Sequence, residues 1–297
     1  MTLVLDIQHL QKSFGNKQVL KDLNLQVASG DFYGFIGPNG AGKSTTIRII
    51  LGLLNKTGGS AQVFGMEASP SNVDILKKVA YLPSEVNLYP DFTVKSLINM
   101  SATLHKDIHQ DEIQRLARVF ELDLHKKIKE LSLGNRKKVG IVNMLMKDAD
   151  LYILDEPTSG LDPLMQQVFW QEMMHKHDQG KTIFVSSHVL SEIQRYCNKA
   201  AFIKDGTILM IQDMKTQPLE TIKEIRLDGV TQIDVLPGMS HLKEDAYGVS
   251  FHYQGELDAL WSIIETYRPQ ITDVHIHNLD IETLFLHHYQ SQEEGVV

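Results

Sequence analysis

The sequence predicts an α/β chain in two parts. A phosphate-loop core on a mixed sheet, interrupted by a helical subdomain, is followed by a small α+β domain at the C-terminus. Three observations carry this. A short apolar run, DFYGFI (31–36), leads into the glycine-rich GPNGAGKST (37–45) and then a second apolar run, TIRIILGLL (46–54). Two further runs, LYILDE (151–156) and TIFVSS (182–187), are apolar and end in polar residues. Beyond about residue 215, short segments alternate between strand and helix patterns.

The first run reads as a buried strand and the one after the glycines as a buried helix. Between them Gly37-x4-Gly42-Lys43-Ser44 fits G-x-x-x-x-G-K-[ST]. Glycines let backbone N–H groups turn inward around phosphate oxygens, and the following helix adds its positive dipole end. Gly37, Pro38, Asn39, Gly40, Ala41, Gly42, Lys43, Ser44 and Thr45 are therefore candidate nucleotide-binding residues. Lys43 can reach the outer phosphates, and the Ser44 hydroxyl can ligate Mg²⁺.

Residues 85 to about 147 read mostly as helices: VKSLINM (94–100), EIQRLARVF (112–120) and NRKKVGIV (135–142). Residues 125–147 hold 7 Lys/Arg against 1 Glu. That excess reads either as a solvated helix face or as a patch against phosphate or lipid headgroups.

The run LYILD reads as a buried parallel strand whose acids, Asp155 and Glu156, fall at the carboxyl edge of the sheet, where open α/β folds bind ligands. Asp155 can hold Mg²⁺ through water, and Glu156 can polarise an attacking water. SGLD (159–162) follows Pro157 as a tight loop before a helix beginning at Pro163. TIFVSS is a further strand with His188 at its carboxyl end, within reach of a γ-phosphate. AFIKDGTIL (201–209) closes the core as a hairpin about Asp205-Gly206.

These motifs, in this order, resemble an ABC-type ATPase, the nucleotide-binding subunit of an ABC transporter. The resemblance covers residues 1–210 and rests on GPNGAGKST, LSLGN (131–135), LYILDEP (151–157), SGLD (159–162) and SSH (186–188). Phe14 lies 29 residues before Lys43, matching the family's adenine-stacking aromatic. The resemblance implies a P-loop ABC ATPase fold binding ATP and Mg²⁺. Lys43, Ser44 and Asp155 then serve the phosphates and the metal, Glu156 is the general base, His188 the γ-phosphate contact and Asp162 the intersubunit loop acid. The family's LSGGQ faces the phosphate loop of a second subunit, so Ser132 and Gly134 belong to the partner's site. The implied assembly is a dimer with a second copy or a paralogue, held on the inner face of the cell membrane by a permease. Two positions depart from the pattern. Leu133 and Asn135 alter LSGGQ, which bears on hydrolysis more than on binding. Ser84, in YLPSE (81–85), stands where the family has a Mg²⁺-touching Gln. The expected domains are 1–212, with a helical subdomain at about 85–147, and 215–297.

The tail adds a strand at 249–253, a helix at 256–267, a strand at 271–276 and a final helix at 280–289. Its ending, IETLFLHHY, resembles exporter ATPases of the bacitracin type that work with a separate membrane subunit. The expected function is therefore ATP-driven export of a drug, peptide or lipid. The alternatives are an importer ATPase subunit or a degenerate regulatory subunit. A soluble ABC protein of translation or DNA repair is disfavoured by a single cassette with no heptad run.

Composition is consistent with this reading. The single Cys197 excludes an internal disulfide framework. The N-terminus MTLVLD lacks a signal-peptide pattern, and no run approaches the roughly 20 apolar residues of a membrane span. Of the net charge of −8, residues 211–297 hold 5 Lys/Arg and 15 Asp/Glu, so no nucleic-acid footprint is present. His275, His277, His287 and His288 invite a metal reading, but no cysteine or tight ligand spacing supports it.

Overall fold

Strands β1 (Leu3–Phe14) and β2 (Lys17–Ala28) pair antiparallel, with Leu5, Ile7, Leu10, Leu23, Leu25 and Val27 all buried. The computed structural model describes residues 2–103, 110–214, 222–235 and 237–278. The chain divides into two units, Met1–Lys215 and Thr216–Val297.

In the first unit, β3 (Phe32–Ile36) is buried at every residue. It leads through the glycine loop into α1 (Lys43–Ile50), then β4 (Gly58–Val63), β5 (Met66–Glu67), α2 (Val73–Lys78) and β6 (Val79–Leu82). The helix expected over 46–54 is shifted: it starts at Lys43 and stops at Ile50. Apolar residues continue to Leu54, but Gly52 takes φ +67°, which ends the helical path. Helices α3 (Val94–Thr103), α4 (Gln110–Val119) and α5 (Leu133–Leu145) follow, with α3 and α4 packed on α5. Helix α5 starts two residues before the NRKKVGIV segment, where the Ser132 hydroxyl caps it by accepting from the Asn135 N–H at 3.3 Å, and it runs on to Leu145.

The chain returns to the sheet with β7 (Leu151–Asp155), α6 (Pro163–Asp178), β8 (Thr182–Ser187), α7 (Leu190–Tyr196), β9 (Lys199–Lys204) and β10 (Thr207–Asp213). The six-stranded order is β10-β9-β3-β8-β7-β6. All pairings are parallel except β9–β10, joined at Asp205-Gly206, so the sheet is mixed as expected. Parallel strands covered on both faces read as continuous apolar runs. Phe184 on β8 is fully buried against the rings of Phe35 and Tyr33, with centroids 5.4 and 6.1 Å away. Phe184→Ala is expected to cost about 3–5 kcal/mol of stability, measured as a lower urea midpoint by circular dichroism.

The second unit is an antiparallel sheet of order β12-β13-β11-β14, formed by β11 (Lys223–Asp228), β12 (Met239–Glu244), β13 (Gly248–Tyr253) and, after α8 (Leu257–Tyr267), β14 (Asp273–Asn278). Helix α8 sets Leu260 and Ile263 on Ile225, Leu227, Val249 and Phe251. The last strand lies two residues later than the 271–276 expected. His287, His288 and the expected helix over 280–289 lie outside the described residues. Among the described residues no group of three or more His, Cys, Asp or Glu is arranged to hold a metal, and no helix is long and apolar enough to cross a membrane.

Candidate nucleotide and metal site

Three strand ends build the site. The loop after β3 leads to Lys43, the end of β7 supplies Asp155 with Glu156 next to it, and the end of β8 supplies Ser186 with His188 just beyond. The register explains why they meet. Ile36 pairs with Ser187, and Asp155 pairs with Ser186, so the three carboxyl ends stop side by side.

Gly42 precedes α1 at φ +112°, a conformation that favours glycine, and no side chain caps the helix. The first-turn N–H groups are therefore not taken by a local cap, as a phosphate cradle requires. Lys43 is 5% exposed. Its ammonium donates to the carbonyls of Gly37 at 2.6 Å and Pro38 at 3.2 Å. It also lies 3.2 Å from Glu156 Oε1. That contact is an ion pair by distance, while its angles fall short of a hydrogen bond, since Oε1 has no hydrogen-bond partner. The other oxygen, Glu156 Oε2, lies 2.7 Å from His188 Nδ1.

Asp155 is 1% exposed, and its Oδ1 accepts from the Ser186 hydroxyl at 2.6 Å. Burial raises the Tyr81 phenol to about 12, with the Asp155 carboxylate adding to the shift. The Glu156 backbone has φ +47°, in the left-handed region that side-chain-bearing residues seldom enter. Its N–H is held by the Ser186 carbonyl at 3.1 Å and the Ser186 hydroxyl at 3.3 Å.

The remaining predicted residues lie elsewhere. Ser132 caps α5, and Asp162 caps α6 by accepting from the Met165 N–H at 3.0 Å. Both polar side chains are engaged with their own helices rather than with the Lys43 cluster. Gly134 abuts the SGLD turn: a Cβ there would fall 2.8 Å from the Gly160 carbonyl. Leu133, beside it, is 76% exposed. Phe14 ends β1 as a half-exposed ring, with the Lys12 ammonium 4.8 Å from its centroid. Ser84 follows β6, and its carbonyl accepts from the Lys137 ammonium at 2.9 Å.

Lys137 and Ser186 are the residues whose part in the site the sequence did not reveal. Lys137 was one charge in the basic run 125–147. Lys126, Lys127 and Lys129 are exposed, as a solvated face requires, while Lys137 and Lys138 on α5 are buried. Lys129 pairs with Asp91, Arg136 holds the Leu131 carbonyl, Lys147 holds the carbonyls of Leu76 and Val79, and Lys137 is buried in the site. Burial pushes the Lys137 ammonium down to about 8, opposed by the nearby carboxylates of Asp155 and Glu156.

A family model described as ABC transporter matches residues 20–159. The chain is 33% identical over 214 residues to the bacitracin transport ATP-binding protein of Bacillus licheniformis, covering 70% of this chain and 69% of that one. The chain belongs to the ABC transporter ATP-binding family. It is also 33% identical to the Nod factor export ATP-binding protein I of Cupriavidus pinatubonensis, over 69% of this chain and 65% of the relative's own length. The solved structure of an ATP binding subunit of an ABC transporter superposes with a TM-score of 0.65 at 30% identity, covering 71% of this chain and 90% of that one.

Proposed function

We propose that the chain hydrolyses Mg-ATP to drive export of a drug, peptide or lipid through a separate membrane permease, working as one of two ATPase subunits that close on each other. The carrying observation is the convergence of Lys43, Asp155, Glu156 and His188 at adjoining strand ends. The export direction is supported by the Nod factor relative's name, and the cargo class by the bacitracin one.

ATP is the substrate. Its outer phosphates take the Lys43 ammonium and the loop N–H groups of residues 37–45, while Phe14 offers a face to the base. Ser44 and Asp155, with Ser84 as a third candidate, are hard oxygen donors, the set that suits Mg²⁺. When bound there, Mg²⁺ supplies neutralisation of phosphate charge. Glu156 accepts the proton of the attacking water, and His188 orients the Glu156 carboxylate and contacts the γ-phosphate. Ser132, Gly134 and Asp162 meet the second subunit's nucleotide, which makes association part of the chemistry.

Purified protein is expected to release phosphate from ATP in the presence of Mg²⁺ and to lose this activity on addition of EDTA. The measurement is a phosphate-release assay. No release at saturating Mg-ATP would sink the hydrolytic reading.

A further inference from the structure

Lys137 lies one turn into α5, the helix whose N-terminus carries LSLGN. Its side chain is 4% exposed. The ammonium donates to the carbonyls of Pro83 at 3.0 Å, Ser84 at 2.9 Å and Glu156 at 3.2 Å. Three carbonyls use all three ammonium hydrogens. A lysine buried this deeply is retained only where its hydrogens are all accepted.

Those acceptors come from two different connections. Pro83 and Ser84 follow β6, and Glu156 follows β7. One ammonium thus joins the LSLGN helix, the YLPSE loop and the acidic turn. The effect on Glu156 is specific. Its backbone adopts φ +47°, its N–H is held by Ser186, and its carbonyl is held by Lys137. A residue whose two flanking peptides are both held, one at its N–H and the other at its C=O, has a fixed Cα–Cβ direction, and from that direction the carboxylate reaches Lys43 and His188.

We propose that Lys137 is a positioning residue for Glu156, through which a displacement of α5 reaches the carboxylate that activates water. The proposal rests on the ATPase reading above. Lys147, ten residues on, provides an internal control. It lies two residues past the end of that helix and holds two carbonyls, those of Leu76 and Val79, neither of which Lys137 touches.

The test is steady-state ATPase of the full chain as wild type, Lys137→Met, Lys137→Gln and Lys147→Met, with affinity for a fluorescent ATP analogue and Tm measured on each. Lys137→Met is expected to lower kcat about 10- to 100-fold, because misaiming a reacting group by about 1 Å has that scale of effect. Its ATP affinity is expected to stay within about threefold of wild type, since an aiming defect acts on the transition state rather than on binding. Lys137→Gln keeps two donors and is expected to recover part of the loss. Lys147→Met is expected to lower Tm with kcat near that of wild type. The inference is overturned if Lys137→Met hydrolyses ATP as wild type does, or if Lys147→Met loses kcat equally for the same fall in Tm. A wild-type chain without hydrolysis would instead overturn the ATPase reading, and with it the role given to Lys137.

Discussion

Glu156→Gln is expected to lower ATP turnover by at least about 100-fold, since a positioned general base contributes on that scale, while ATP binds as tightly as to wild type or more tightly. The direction of the binding effect comes from the geometry. Glu156 Oε1 sits 3.2 Å from the Lys43 ammonium, the group proposed to take the outer phosphates. An amide in place of the carboxylate keeps the shape and the contact with His188 but releases Lys43 from a competing anion. A phosphate-release assay and a titration with a fluorescent ATP analogue separate the two effects. Light scattering adds a third readout, because a mutant that binds ATP and cannot cleave it accumulates in the closed state. Conversion of monomer to dimer by Mg-ATP supports the composite site. Undiminished turnover would remove Glu156 from the role of base.

Gly134→Ala is expected to abolish that ATP-dependent dimer and to reduce turnover at least about tenfold, an effect of about 1.4 kcal/mol on the barrier. The new Cβ would lie 2.8 Å from the Gly160 carbonyl, closer than real Cβ contacts come. Backbone faces backbone at this point, so no side chain can rotate away. Either the start of α5 or the SGLD turn has to move, and Ser132, Leu133 and Asp162 move with them. ATP affinity of the single chain is expected to be unchanged, because the phosphate loop lies on another connection. The measurement is light scattering in the Glu156→Gln background. A dimer of normal stability would show that the contact between the two turns is not needed for association.

The strands that carry the candidate site were readable in the sequence for a physical reason. Phe32–Ile36, Leu151–Asp155 and Thr182–Ser187 are covered on both sides, so burial writes itself as an unbroken apolar run with its polar residues at the end. The ends were then enough to bring Lys43, Asp155, Glu156 and His188 together. Helix boundaries were less readable. Leu51, Leu53 and Leu54 continue the apolar pattern of α1, and the turn at Gly52 depends on a backbone angle that composition does not encode. Lys137 was the least readable. Charge counting groups it with Lys129 and Arg136, yet its fate is set by where three carbonyls from distant segments converge. The supporting role of Ser186 was hidden likewise: SSH was recognised by its histidine, while the hydroxyl that reaches Asp155 depends on the register between β7 and β8.

The acceptors around Lys43 have a further consequence. Two carbonyls and the Glu156 carboxylate share one ammonium, so an incoming polyphosphate competes with a tethered anion for the same cation. Under the proposed function, the Glu156 carboxylate would act as a tethered competitor at a fixed local concentration. Apparent affinity is then the intrinsic affinity reduced by the fraction of chains in which the carboxylate has let go. Under the proposed function, ligands bringing two or three phosphates are expected to win that exchange more readily than a single phosphate, so that the loop would sort nucleotides by charge before their bases are read.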